Sequence, residues 1–117
     1  MKIKRIVPNI AARDTGKAKA FYGDLLGLTV AMDMGWIITF EADASMQPQL
    51  SVAADGGSET AVPDITLEVD DLEEAVRRFR EAGVALEYGP ATESWGVRRF
   101  YVRDPFGRLL NIMVHSK

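Results

Sequence analysis

The chain has 117 residues, 47% of them hydrophobic and 26% charged, which is the size and balance of one globular domain and excludes fibrous and disordered classes. Fourteen Lys and Arg against 17 Asp and Glu leave a net charge of -3, so the basic surface that phosphate backbones require is not expected, and nucleic acid is not an expected partner. The absence of cysteine removes disulfides, thiolate metal sites and cysteine nucleophiles from consideration.

The opening Met1-Lys2-Ile3-Lys4-Arg5-Ile6 has neither the apolar run of a signal peptide nor that of a membrane span, so a cytoplasmic protein with no membrane partner is expected. Residues 3 to 10 read as a strand. Asp14 and Thr15 offer an N-cap before Ala18, Phe21, Tyr22, Leu25 and Leu26 at helical spacing, and Gly27 ends that helix. Three extended stretches follow, near 28–33, 35–42 and 48–54, with turns predicted at Asp33-Met34-Gly35 and in Ser45-Met46-Gln47-Pro48. The tract Asp55-Gly56-Gly57-Ser58-Glu59-Thr60 is polar and aperiodic and reads as a linker, over about 55–62.

The pattern then restarts. Residues 64–69 read as a strand, and Asp70-Asp71 caps a helix carrying Leu72, Ala75, Val76, Phe79 and Ala82 that Gly83 stops. Strands near 84–88, 96–103 and 108–115 complete it. The two cap aspartates, Asp14 and Asp71, stand 57 residues apart, which marks a duplicated unit. The expected fold is α+β: one domain over 1–117, with module 1 at about 1–54 and module 2 at about 63–117, both βαβββ. Together they would form a curved mixed sheet around a cleft, with the helices on the outer face.

Four segments carry a resemblance: Asp14 to Phe21-Tyr22 with Leu25-Leu26-Gly27-Leu28; Leu67-Glu68-Val69-Asp70-Asp71-Leu72; Trp95-Gly96-Val97-Arg98-Arg99-Phe100; and Asp104-Pro105-Phe106-Gly107. In this order the chain resembles the vicinal oxygen chelate superfamily, which includes glyoxalase I, fosfomycin-resistance transferases, extradiol dioxygenases and bleomycin-resistance proteins. Metal-dependent members carry ligands at the places held here by Val7, Asp64 and Asn111. Valine has no donor and asparagine offers a neutral carbonyl, so the three protein ligands of a catalytic site are missing. No metal and no other cofactor is expected. His115, the single histidine, reads as a solvated side chain near the C-terminus without a role.

Strand alternation then selects the candidate ligand-binding residues. Val7, Asn9, Asp64, Thr66 and Glu68 share the concave side with the family's ligand positions, and Asn111 and Met113 join them. Parity carried over from the family's active-site tyrosine adds Trp95, Arg99 and Tyr101, with Phe100 and Val102 facing the helices. A buried Arg99 calls for Asp64 or Glu68 as its partner. Trp36 either walls the cleft or packs at an interface. Glu73, Glu74, Arg77 and Arg78 read as an ion-paired solvated face.

The pattern stands nearest to bleomycin-resistance proteins. That resemblance implies a metal-free protein that binds and sequesters a small organic molecule, an antibiotic among the possibilities, as a homodimer. The alternative is a lyase or isomerase of the same superfamily acting on a small organic substrate through Asp64, Glu68 or Tyr101. An interaction module whose cleft is plugged by its own side chains is a third reading.

Overall fold

β-Branched and aromatic residues in alternation produce eight strands in the computed structural model, which describes residues 1–43 and 48–116. Ser45, Met46 and Gln47 of the predicted turn fall outside the described residues. The strands are β1 (Ile3–Ala11), β2 (Thr29–Asp33), β3 (Ile37–Glu41), β4 (Gln49–Ala53), β5 (Ile65–Val69), β6 (Tyr88–Thr92), β7 (Val97–Arg103) and β8 (Leu109–His115). Helix α1 (Gly16–Ala18) runs on into a π-helical segment, Lys19–Leu25, and α2 spans Leu72–Glu81. No helix among the described residues is long and apolar enough to cross a membrane.

The chain divides into two compact units, Val7–Val62 and Met1–Ile6 with Pro63–Lys117. In the first, β2, β3 and β4 run antiparallel in sequence, and β4 pairs in parallel with β1, where Asn9 faces Ser51. Ile38, Phe40 and Val52 point to one face and pack with Ala18 of α1 and with Tyr22. Thr39 and Ser51 point to the other and share a 2.7 Å hydrogen bond. The cap predicted at Thr15 takes a different form. Its hydroxyl donates to the Gly35 carbonyl at 2.7 Å, while Asp14 Oδ1 accepts from the Gly16 N–H at 2.8 Å. The wide π winding, closed by Leu26 N–H on Phe21 O, departs from the spacing on which the helical face was read. Tyr22 turns toward the core, and Phe21, Leu25 and Leu26 stay exposed.

The second unit repeats that topology. β6, β7 and β8 are antiparallel neighbours and β8 pairs in parallel with β5. Asp71 caps α2 by accepting from the Glu74 N–H at 3.1 Å. At its other end Gly83 N–H reaches Arg80 O and Val84 N–H reaches Phe79 O, the paired bonds of a Schellman ending, with Gly83 at φ 77°. Val69, Leu72, Ala75, Val76, Phe100, Val102 and Ile112 fill the space between α2 and one face of the sheet, so Phe100 and Val102 do face the helix.

One strand stands about four residues from its predicted place. Of the stretch predicted at 84–88 only Tyr88 is in a strand: Val84 and Leu86 pack against the α2 cluster, and β6 begins at Tyr88. Proline in β6 is tolerated because this strand ends the sheet order and leaves one edge unpaired. The linker, too, has fixed geometry. Asp55 Oδ1 accepts from the Gly57 N–H at 2.6 Å, and Gly56 N–H donates to Thr60 O.

Candidate functional site

The face of the second unit's sheet turned away from α2 carries most of the predicted site residues. Register fixes this: Arg99 stands opposite Met113 and Tyr101 opposite Asn111 across β7 and β8, while Thr66 faces Asn111 and Glu68 faces Met113 across β5 and β8. Directly paired residues point the same way, so Glu68, Arg99, Tyr101, Asn111 and Met113 share one surface.

Arg99, 3% exposed, is the centre of that surface. Its Nε and Nη2 each donate to Glu93 Oε2 at 2.7 Å, and its Nη1 donates to the Tyr101 hydroxyl at 2.8 Å. The same Glu93 oxygen accepts from the Tyr88 hydroxyl at 2.9 Å. The guanidinium carbon lies 5.0 Å from the ring centroids of Trp95 and Tyr101 and 5.4 Å from that of Tyr88, within cation–π range of all three. A delocalised, weakly hydrated cation suits this aromatic setting better than an ammonium would.

The partner of Arg99 is therefore Glu93, not Asp64 or Glu68. Asp64 is exposed and stands just before β5, where its Oδ2 accepts from the Leu109 N–H at 2.8 Å. Glu68 meets Arg5 Nε at 2.8 Å, His115 Nδ1 at 3.0 Å and Lys4 Nζ at 3.8 Å. Burial pushes its carboxyl up, but the His115 hydrogen bond and the Arg5 charge outweigh that and hold it below the usual carboxylate range. His115 thus has a partner, although its side chain is more than half exposed.

Glu93 and Tyr88 are the functional candidates that the sequence reading missed. Glu93 opens the turn between β6 and β7, where its N–H donates to Val97 O at 2.8 Å. Ala91 is the register partner of Arg99, so Glu93, two residues on, falls on the same face. With β6 placed at 88–92, that parity would have found it.

Asn111 is buried and its Nδ2 donates to Thr66 Oγ1 at 3.3 Å, while its Oδ1 has no hydrogen-bond partner among the described residues. Met113 is buried beside it, and Trp95 is half-buried in the β6–β7 turn. Three predicted site residues belong to the other unit. Val7 is buried there, Asn9 is half-buried in register with Ser51, and Trp36 is half-buried just before β3, its carbonyl accepting from the Ala54 N–H at 2.8 Å.

The donor chemistry at the three metal-ligand positions does not fit a metal ion. Val7 has no lone pair to give, Asp64 Oδ2 is committed to a backbone N–H, and Asn111 is a neutral amide. Among the described residues no group of three or more His, Cys, Asp or Glu is placed to hold a metal.

Solved structures share this fold at low identity. A Streptomyces coelicolor methylmalonyl-CoA epimerase variant, in complex with 2-nitronate-propionyl-CoA, is 18% identical with a TM-score of 0.74, covering 99% of this chain and 100% of that one. A glyoxalase/bleomycin resistance protein/dioxygenase superfamily member from Vibrio splendidus 12B01 is 18% identical at 0.66, covering 95% and 97%. A Legionella pneumophila protein described as NAD-dependent benzaldehyde dehydrogenase is 17% identical at 0.77, covering 96% and 100%. No curated protein matches. The model of the Glyoxalase/Bleomycin resistance protein/Dioxygenase superfamily matches residues 2–112, and with that match across nearly the whole length the chain belongs to this superfamily.

Proposed function

We propose that this protein binds a small organic molecule against the face formed by Tyr88, Trp95, Arg99, Tyr101, Asn111 and Met113, without a metal, and sequesters it rather than converting it. The observation that carries this reading is the state of Glu93. Its Oε2 already accepts three donors, two from Arg99 and one from Tyr88, so the buried carboxylate of this face is an internal counterion. A lyase or isomerase needs a group poised to exchange a proton with its substrate. Here Glu93 neutralises Arg99, and the Tyr101 hydroxyl accepts from the same guanidinium. What remains for a ligand is the aromatic area of the half-buried Tyr88 and Trp95 with few polar anchors, a lining that suits a small molecule.

The alternative, an isomerase of the same superfamily, is kept in view by the methylmalonyl-CoA epimerases of similar fold. A homodimer is the assembly proposed with either reading, to be measured by light scattering.

Thermal shift on the purified protein separates the readings, because a ligand that binds only the native state raises Tm with its concentration. The conditions are protein alone, with EDTA, with Zn²⁺, Ni²⁺ or Mn²⁺, and with aromatic and glycopeptide antibiotics. The expected result is a rise with an aromatic drug that EDTA does not alter, the drug being recovered unchanged. A large metal-dependent rise that EDTA reverses would overturn the metal-free reading. Conversion of the bound compound, lost in Glu93→Gln, would favour the enzyme.

A further inference from the structure

Asn111 sits where an apolar residue would be expected. On its own strand Leu109 and Met113, two residues before and after on the same face, are both buried and apolar. β8 is an interior strand, with Thr66 of β5 on one side of Asn111 and Tyr101 of β7 on the other. The residue is 8% exposed. Its amide is oriented by the 3.3 Å bond from Nδ2 to Thr66 Oγ1, which leaves Oδ1 buried with no partner among the described residues. A buried carbonyl oxygen stripped of water and given nothing in return destabilises the ligand-free chain. Leucine, of similar volume, would carry no such penalty.

The charges of the same face are already matched. Arg99 is neutralised by Glu93, and Glu68 is paired with Arg5 and hydrogen-bonded to His115. An anionic ligand would bring lone pairs against Oδ1 and find Arg99 engaged. A molecule with an N–H or O–H beside an aromatic ring would satisfy the orphan oxygen, and the half-buried rings of Tyr88 and Trp95, packed against Tyr101 and Arg99, offer its ring a surface on the same face.

From these observations we infer that Asn111 is the specificity-determining acceptor of this face: Oδ1 receives a hydrogen bond from a donor on an uncharged aromatic ligand, a phenol or a primary or secondary aryl amide. This rests on the small-molecule reading above and narrows its ligand class. The site selects for a donor, and an ether or a carboxylate of the same shape is disfavoured.

The test uses the full chain and two measurements. Without ligand, Asn111→Leu should melt at or above the temperature of the parent protein, because the unsatisfied oxygen is gone. A Tm several degrees lower would assign the amide a structural role and overturn the inference. With ligand, 4-methylphenol, 4-methylanisole and benzoate are titrated while the amide resonances of the protein are followed by NMR. The parent should bind 4-methylphenol about fivefold more tightly than 4-methylanisole, the worth of one net hydrogen bond, and benzoate more weakly than either. Asn111→Leu should bring the first ratio close to one, whereas Asn111→Asp, which keeps an acceptor, should preserve it. Equal binding of both neutral probes by the parent, or a ratio unchanged in Asn111→Leu, overturns the acceptor role and leaves small-molecule binding standing. A preference for the ether or benzoate that Asn111→Asp abolishes shows that the amide presents its N–H₂, which also overturns it. Failure of every aromatic probe, including the antibiotics above, removes the ligand-binding reading together with this inference.

Discussion

Replacing Glu93 with alanine should expose how much the fold depends on the Arg99 ion pair. The two side chains are 4% and 5% exposed, and two guanidinium nitrogens lie 2.7 Å from one carboxylate oxygen. With charge centres about 4 Å apart and an effective dielectric of about 20, the attraction is about 4 kcal/mol. That agrees with the range of about 3–5 kcal/mol for removing one partner of a buried pair, where the loss is dominated by the charge left behind. At a urea slope of about 1.5 kcal/mol per molar, Glu93→Ala should lower the unfolding midpoint by about 2–3 M. The unfolding curve is read by circular dichroism and by Trp95 fluorescence in a Trp36→Phe background, since Trp95 lies over the guanidinium. Glu93→Leu combined with Arg99→Met removes both charges together and should recover most of the loss, giving a coupling of several kcal/mol in the double-mutant cycle. A loss below about 1 kcal/mol for Glu93→Ala, or additive losses in the double variant, would place the pair in solvent-like surroundings and refute the buried-counterion argument.

Four further outcomes follow from the geometry. The Glu68 carboxyl is held below its ordinary value of 4.5 in the folded chain, so the stability it contributes is complete above about that pH and is lost as pH falls through the lower folded value. Urea curves of the parent and Glu68→Gln should therefore differ at pH 7 and converge toward pH 2; parallel pH profiles would sink the assignment. A methyl group at Gly89 would stand 2.5 Å from Arg99 O at a φ of 77°, so Gly89→Ala should cost about 2 kcal/mol or more by disturbing the pairing of β6 with β7. Gly23→Ala, with its nearest neighbour at 3.8 Å, should instead be neutral or stabilise by about 0.5 kcal/mol. Loss of the Asp71 cap on α2 in Asp71→Ala should lower stability by about 1 kcal/mol, read by thermal melting.

Much of the fold was legible because strand and helix periods differ. Leu72, Ala75 and Val76 mark a helix, and the alternation through Val97, Arg99 and Tyr101 against Arg98, Phe100 and Val102 marks a strand whose two faces meet different surroundings. The misplaced strand shows where that logic stops. Val84 and Leu86 alternate as a strand would, yet their burial against α2 is achieved by a loop, while Tyr88-Gly89-Pro90 contains the residues that usually break pairing. Only the sheet order, which makes β6 an edge, reconciles proline with a ladder. The first helix fails for a related reason, because a hydrophobic face counted at 3.6 residues per turn drifts off the core once the chain winds wider.

The candidate site was legible to the extent that parity decides it and no further. Parity put Arg99, Tyr101, Asn111 and Met113 on one face, but charge matching across that face depends on reach rather than on parity alone. Asp64 and Glu68 have the right sign. Asp64, however, spends its carboxylate on the Leu109 N–H, and Glu68 is drawn to Arg5 and His115. Glu93 prevails because a tight turn returns it to the side of β7 on which Arg99 projects, and because Tyr88 adds a donor that a carboxylate in a dry setting requires. The same reasoning gives Asn111 its weight. Among the described residues, Asn111 Oδ1 is the buried side-chain acceptor left open on this face, and it is the place where a ligand's chemistry can be discriminated from the protein's own.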